Sequence, residues 1–238
     1  MNAGFANWNW PDIESVLETL LGDGTGPTVC GGQAVGYWAQ RYGLGAVVSR
    51  DLDLIGDRDD ARAAASILGA TVRYPDRYDM TVLTAVLHTV WQGRPLMIEW
   101  LSSVPGIETD PEATSVLVEY RKHRLCRILH PLSLVMAKLH AVRFFDPEGR
   151  QDEAHLRTMM EAARLWLAEV AETDGPRALR LVHQWHRMTR QSGYRKVLHR
   201  LDLDWTTLIP LEVLGRRSTE DTLIARFLKD HWPRLQQD

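Results

Sequence analysis

Apolar positions change period along the chain, from alternating, strand-like runs in the first half to helical spacing in the second. Ile13, Val16, Leu17, Leu20 and Leu21 recur at helical spacing and predict a short amphipathic helix over 11–21. Residues 22–27 break it. Thr28-Val29-Cys30 reads as a short strand that stops at Gly31-Gly32, and a helix is expected over 33–42, ended by Gly43 and Gly45. A second strand is expected over 47–55, then an Ala-rich helix over 59–68 that stops at Gly69. Strand-like runs follow at 71–74, 86–91, 95–104, 115–120 and 124–129.

The remainder is helical in period. Pro131 sits in the first turn of a helix expected to about residue 145, and 146–149 reads as a turn. A long helix over 152–173 ends at Asp174-Gly175-Pro176. The next, to about 191, carries Leu179, Val182, Trp185 and Met188 as its inner stripe. A last helix over 219–232 is expected to bury Leu223, Ile224, Phe227 and Leu228. The fold class predicted is α/β (α+β): a mixed sheet with flanking helices over 1–128, followed by a helical domain over 129–238.

Composition adds limits. The chain has 238 residues, 45% hydrophobic and 25% charged, which is ordinary for a globular protein of one large or two small domains. No apolar run reaches the length of a transmembrane helix, and the first ten residues lack the basic and apolar parts of a secretory signal. Cys30 and Cys126 lie in apolar runs without the spacing of a metal knuckle, so reduced, buried thiols of a cytoplasmic protein are expected.

The net charge of −3 conceals an asymmetry: residues 177–200 hold seven Lys or Arg and no acid, so the rest of the chain carries −10. Such a division suits an anionic partner or pairing between the two halves, and composition does not choose between them.

The candidate chemistry lies in the first half. Side chains alternate along a strand, so Asp51 and Asp53 share one face about 7 Å apart, with Leu52 and Leu54 on the other. Paired carboxylates suit a hard divalent ion such as Mg²⁺ that also takes phosphate oxygens. Alone, such a pair is common on solvated strand ends, and some glycosyltransferases use one for a metal-bound sugar nucleotide. The strand–Gly31-Gly32–helix unit just upstream makes the arrangement more specific, because glycines let backbone N–H groups approach a phosphate at the positive end of a helix. Two-metal phosphoryl chemistry calls for a third acid, and Glu99 is the one carboxylate within the apolar run 95–101.

Taken together, Gly31-Gly32-Gln33-Ala34-Val35, Ser49-Arg50-Asp51-Leu52-Asp53-Leu54-Ile55 and the apolar-flanked Glu99 resemble the nucleotidyltransferase superfamily, nearest to its bacterial minimal and abortive-infection toxin-type members. The run 129–141, with Pro131, Lys138 and Ala141, is similar to the helix those proteins place after the catalytic sheet. Gln151-Asp152-Glu153-Ala154-His155-Leu156 resembles the element that follows it, with Gln151 in place of a basic residue and His155 in place of an acid. The resemblance covers roughly 28–157. The turn is Gly-Gly where the family commonly has Gly-Ser, and Glu99 stands where Asp is more frequent.

The resemblance implies a transferase that moves a nucleoside monophosphate from a nucleoside triphosphate to an acceptor hydroxyl. Asp51, Asp53 and Glu99 would hold Mg²⁺ or Mn²⁺ and carry the catalysis, and Gly31 and Gly32 would hold the triphosphate. Ser49 shares the parity of Asp51 and is placed to hydrogen-bond near the triphosphate. Lys138 either reaches the phosphates, as the resemblance implies, or extends to solvent. Arg50 faces away from the pair.

RNA, a protein or a small molecule such as an aminoglycoside are the candidate acceptors. Arg180, His183, Arg187 and Arg190, spaced 3, 4 and 3, form a cationic helical stripe that would suit an RNA backbone or be a solvated face. The turn 121–124 is a second basic spot, expected to be an exposed hairpin tip. A toxin–antitoxin or phage-defence setting with an antitoxin partner is the context implied, without a membrane. A catalytically inactive nucleotide-binding or interaction module of the same fold is the alternative.

Overall fold

The protein is described by a computed structural model over residues 6–22, 26–76, 78–121, 123–146, 148 and 151–236, so the turns expected at 22–27, 121–124 and 146–149 lie partly outside the described residues. Two compact units are formed, Met1–Leu134 and Val135–Asp238.

The first unit is mixed α/β. Strand β1 (Trp8–Asn9) leads into helix α1 (Trp10–Leu21), whose start is fixed by a capping box. The Asn9 side chain accepts from the Asp12 N–H, and the Asp12 carboxylate accepts from the Asn9 N–H. Strand β2 (Thr28–Cys30) runs straight into helix α2 (Gly31–Arg41), and β3 (Val48–Ser49) and β4 (Asp51–Ile55) follow. Helix α3 (Arg58–Leu68) opens on a second capping box, Asp57 with Asp60, and ends at Gly69 in the left-handed region. Strands β5 (Thr71–Arg73), β6 (Leu83–Trp91) and β7 (Arg94–Leu101), a one-turn helix α4 (Pro111–Thr114), and the hairpin β8 (Ser115–Arg121) and β9 (Arg124–Leu129) complete the sheet.

The seven-stranded sheet has the order β5-β6-β7-β4-β2-β9-β8. Strand β4 lies in its interior, antiparallel to β2 and parallel to β7. The strand expected over 47–55 is in fact two. Val48–Ser49 pair with Trp8–Asn9 in a separate two-stranded ribbon, and the chain bends at Arg50 before β4 joins the main sheet. Val29, Leu52, Leu54, Leu87, Ile98 and Ile128 are fully buried and fasten the strands to the core.

Helix α5 (Pro131–Phe144) leads into the second unit, where α6 (Asp152–Thr173) and α7 (Gly175–Thr189) are the long helices. The expected stop at 174–176 is also a start: the Asp174 carboxylate accepts from the Arg177 N–H and caps α7, with Pro176 in its first turn. Of the predicted inner stripe, Val182, Trp185 and Met188 are buried and Leu179 is half-buried.

Beyond residue 190 the structure departs from expectation. Helix α8 (Ser192–Arg200), a 3-10 turn (Trp205–Leu208) and helix α9 (Leu211–Arg217) are present where none was predicted. The last helix is three pieces: α10 (Thr222–Arg226), a π-helical turn (Phe227–His231) and α11 (Trp232–Leu235). Asp221 caps α10 through the N–H groups of Leu223 and Ile224, which fixes a register that buries Ile224 and Phe227. Leu223, expected inside, is 56% exposed, and Leu228 is half-buried.

Candidate metal centre

The centre is built by strand parity. On β4, Leu52 and Leu54 are fully buried against the core, so Asp51, Asp53 and Ile55 are turned to the opposite, half-buried face. Strand β7 alternates the same way: Leu96, Ile98 and Trp100 are buried, and Met97, Glu99 and Leu101 are half-buried. The parallel register sets Asp51 beside Met97, Asp53 beside Glu99 and Ile55 beside Leu101, so the acids of both strands meet on one face. One carboxylate oxygen from each of Asp51, Asp53 and Glu99 lies within 4.8 Å of the others.

That spacing fits a single hard cation. Oxygens ligating Mg²⁺ at about 2.1 Å lie about 3 Å apart when adjacent and about 4.2 Å when opposite, and Ca²⁺ spreads them a little further. Without a cation, two carboxylates 4.8 Å apart repel by about 3 kcal/mol at an effective dielectric of about 20. The same arrangement that costs stability alone is therefore favourable to a divalent ion. Ser49 steadies it: its hydroxyl donates to Asp51 Oδ1 at 2.7 Å, on the carboxylate itself. Arg50, at the bend, is exposed.

The glycine turn lies against the same carboxylates. Cys30, the last residue of β2, sits opposite Asp53, so Gly31 begins α2 beside the acid pair. Gly31 has φ +59, and a Cβ on it would fall 1.7 Å from Asp53 Oδ2. Only glycine allows this approach. Gly32 is buried in the first turn of α2. Cys30 supplies no side-chain cap to this helix, and its first turn contains no acid. A helix end of this kind carries about half a positive charge and N–H groups suited to an anion.

Sequence reading missed Gln33, which is buried in the same first turn. Its Nε2 donates to the Trp8 carbonyl at 3.1 Å, while its Oε1 is buried with no hydrogen-bond partner. Trp8 Nε1 in turn donates to the Pro95 carbonyl, and Arg94 stacks over the Trp8 ring at 4.0 Å. The start of α2 is thus braced to β1 and, through Trp8, to β7. A polar residue inside an otherwise apolar helix face was the available signal.

In the helical unit, Lys138 Nζ bonds Asp152 Oδ1 at 2.8 Å, with side chains 14% and 9% exposed. This is a buried ion pair, a partnership the sequence did not suggest. His155, one turn further along α6, is buried with neither ring nitrogen hydrogen-bonded. Burial, reinforced by the nearby Lys138 charge, pushes its pKa down to about 4. It is a neutral imidazole in the position where the resemblance would have an acid.

The expected cationic stripe on α7 is three arginines rather than four cations. Arg180, Arg187 and Arg190 are exposed. His183 instead packs on Phe227 and His231, and burial first, then His231 and Arg187, lowers its pKa. At the other basic spot, Arg121 and Arg124 both pair with Glu18, and His123 is exposed with φ +68. Lys122 lies outside the described residues. Both cysteines are buried thiols, and burial pushes that of Cys126 up to about 12. Among the described residues no helix is long and apolar enough to cross a membrane.

No protein-family model matches the chain, and no curated protein matches it.

Proposed function

We propose that this protein is a metal-dependent nucleotidyltransferase of the nucleotidyltransferase fold, moving a nucleoside monophosphate from a triphosphate to an acceptor hydroxyl. The observation that carries this reading is the convergence of Asp51, Asp53 and Glu99 within 4.8 Å, with the Gly31 backbone pressed against Asp53. An acid cluster alone would suit many cations. The adjoining uncapped helix start, approachable only because residue 31 is glycine, adds a place for the phosphates of a metal-bound nucleotide.

Asp51 and Asp53 supply oxygens to a divalent ion, Mg²⁺ or Mn²⁺, and the Ser49 hydroxyl holds Asp51 in orientation. Bound there, the ion would neutralise charge on the triphosphate and polarise the reacting phosphoryl group. The backbone at Gly31 and Gly32 holds the phosphate tail against the positive end of α2. The acceptor oxygen forms a bond to the α-phosphorus while the bond from that phosphorus to the oxygen bridging the β-phosphate breaks. Pyrophosphate leaves with the electron pair of that bond. Glu99, across from Asp53, accepts the proton of the acceptor hydroxyl and contributes an oxygen to the metal. The acceptor is a hydroxyl of RNA, of a protein or of a small molecule.

The test is label transfer. The protein is incubated with Mg²⁺ or Mn²⁺ and each α-labelled triphosphate, with total RNA, cell extract or aminoglycosides as acceptors. An Asp51→Ala/Asp53→Ala variant runs beside it. The expected result is a labelled acceptor with one or more triphosphates, absent with the variant. No carboxylate-dependent label with any acceptor, together with no metal-dependent triphosphate binding, contradicts the proposal and leaves the inactive module as the reading.

A further inference from the structure

The glycine turn lies on the β2 side of β4 and Glu99 on the β7 side, so an acceptor reaches Glu99 over β6 and β5. Strand parity decides what it meets there. Ala85 and Leu87 of β6 are fully buried, so Val86 and His88 point the other way, onto the face that carries Glu99. Val86 stands opposite Glu99, and His88 opposite Met97. On the edge strand β5, Val72 pairs with the buried Leu87, so Arg73 shares the open face and stands opposite Val86. One transverse row therefore runs Arg73, Val86, Glu99, Asp53. Arg73 is two strands from Glu99, about 10 Å, and His88 is a diagonal neighbour of Glu99 at about 7–8 Å.

Arg73 and His88 are exposed, and neither side chain makes an ion pair or hydrogen bond with another described residue. Other arginines of this unit are engaged: Arg58 lies over Tyr74, Arg62 pairs with Asp59, Arg94 with Asp12 and Arg121 with Glu18. Glu99 is the one acid in β5, β6 and β7. Beyond Glu99 the face thus offers a guanidinium and an imidazole over the half-buried Val86 and Met97, which repels an amine and suits a phosphate.

We propose that this face seats the 3′ end of an RNA chain, with the terminal hydroxyl at Glu99 and the phosphate of the same nucleotide on Arg73 and His88. This rests on the transferase reading above and names its acceptor. A single ribose separates that hydroxyl from that phosphate, a span that fits within the two strands between Glu99 and Arg73. An open face without walls holds a chain through successive phosphates better than it holds one small molecule. The 3′ hydroxyl gives its proton to Glu99, its oxygen bonds the α-phosphorus, and pyrophosphate leaves with the electron pair of the broken bond.

The test uses the full chain with Mn²⁺, α-labelled triphosphates and a choice of acceptors: total RNA, the same RNA after periodate has destroyed its terminal diol, an aminoglycoside, and cell protein. Label should enter the intact RNA and be lost after periodate. Arg73→Gln/His88→Gln should lower transfer by about tenfold or more, through a raised KM for RNA. Arg62→Gln removes an exposed arginine of α3 that pairs with Asp59, and should change transfer by less than about twofold. Mn²⁺-dependent binding of a triphosphate with an uncleavable α,β-bridge should match the wild type in both variants, and circular dichroism melting confirms that they remain folded. The proposal is overturned if label enters the aminoglycoside or protein and not RNA, if periodate has no effect, if the two variants transfer alike, or if nothing is labelled while the triphosphate still binds. Triphosphate binding persists in each of those results, so the metal centre survives them. Its absence in the wild type overturns both readings.

Discussion

Replacing Gly31 with alanine strikes the contact that joins the glycine turn to the acid pair. The new Cβ would lie 1.7 Å from Asp53 Oδ2, 2.5 Å from its Cγ and 2.8 Å from its Cβ. Turning the carboxylate away removes the first two clashes but not the third. Carbon atoms rest about 3.5–4.0 Å apart, so the backbones of α2 and β4 must also separate by close to 1 Å. Overpacking of this kind costs about 1–3 kcal/mol, and alanine at φ +59 adds about 1–2 kcal/mol. The sum is about 2–5 kcal/mol.

Gly43 supplies the control, with φ +66 and nothing within 4 Å of its added Cβ. Gly43→Ala carries the backbone cost alone. Urea denaturation of both variants, with Mn²⁺ titration calorimetry at a temperature where both are folded, separates the two contributions. Gly31→Ala should be less stable than Gly43→Ala by about 1–3 kcal/mol and should lose Mn²⁺ affinity, while Gly43→Ala binds Mn²⁺ as the wild type does. Equal stabilities and unchanged Mn²⁺ binding would refute the placement of Gly31 against Asp53.

Other outcomes follow from the helical unit and the thiols. His155 is held neutral, with its pKa at about 4 against an ordinary 6.5, so between those values the unfolded chain binds a proton that the folded chain does not. Stability should therefore fall as pH drops through that window, by about 3 kcal/mol in all; denaturation across pH 4–7 should show this slope, flattened in His155→Leu. Breaking the buried pair with Lys138→Met should destabilise by about 3–5 kcal/mol by taking the ammonium away from the buried Asp152 carboxylate, and Lys138→Met/Asp152→Leu should recover most of that loss in the same assay. Cys126, pushed up to about 12, and the fully buried Cys30 should both resist a thiol reagent at pH 8 in the native protein and react once it is unfolded.

The sheet half of the molecule was legible because its signals are local. Two-residue alternation around Asp51 and Asp53 fixed which face the acids share, and the apolar run around Glu99 marked a strand with one acid in it. That Glu99 stands beside Asp53, and not one step along, is set by the parallel register of β4 and β7, which no local pattern encodes. The break at Arg50 escaped notice for a similar reason: it arises because β3 takes a different partner, β1, from the one β4 takes.

The helical half was harder past residue 190. Helix α8 buries only Tyr194, Val197 and Leu198, too few positions to announce a period, and Asp221 shifts the register of the last helix so that Leu223 faces out. Lys138 and Asp152 lie on separate helices, and neither spacing nor composition marks such a pair.

The central claim is that Asp51, Asp53 and Glu99 bind a divalent ion together with a triphosphate. Electron paramagnetic resonance of Mn²⁺ titrated into the protein, with and without a triphosphate whose α,β-bridge cannot be cleaved, tests it directly. The account predicts protein-bound Mn²⁺ in the wild type, held more tightly when the triphosphate is present, and lost in Asp51→Ala/Asp53→Ala and strongly weakened in Glu99→Gln. Mn²⁺ binding that is the same in the wild type and both variants, with or without the triphosphate, would contradict it.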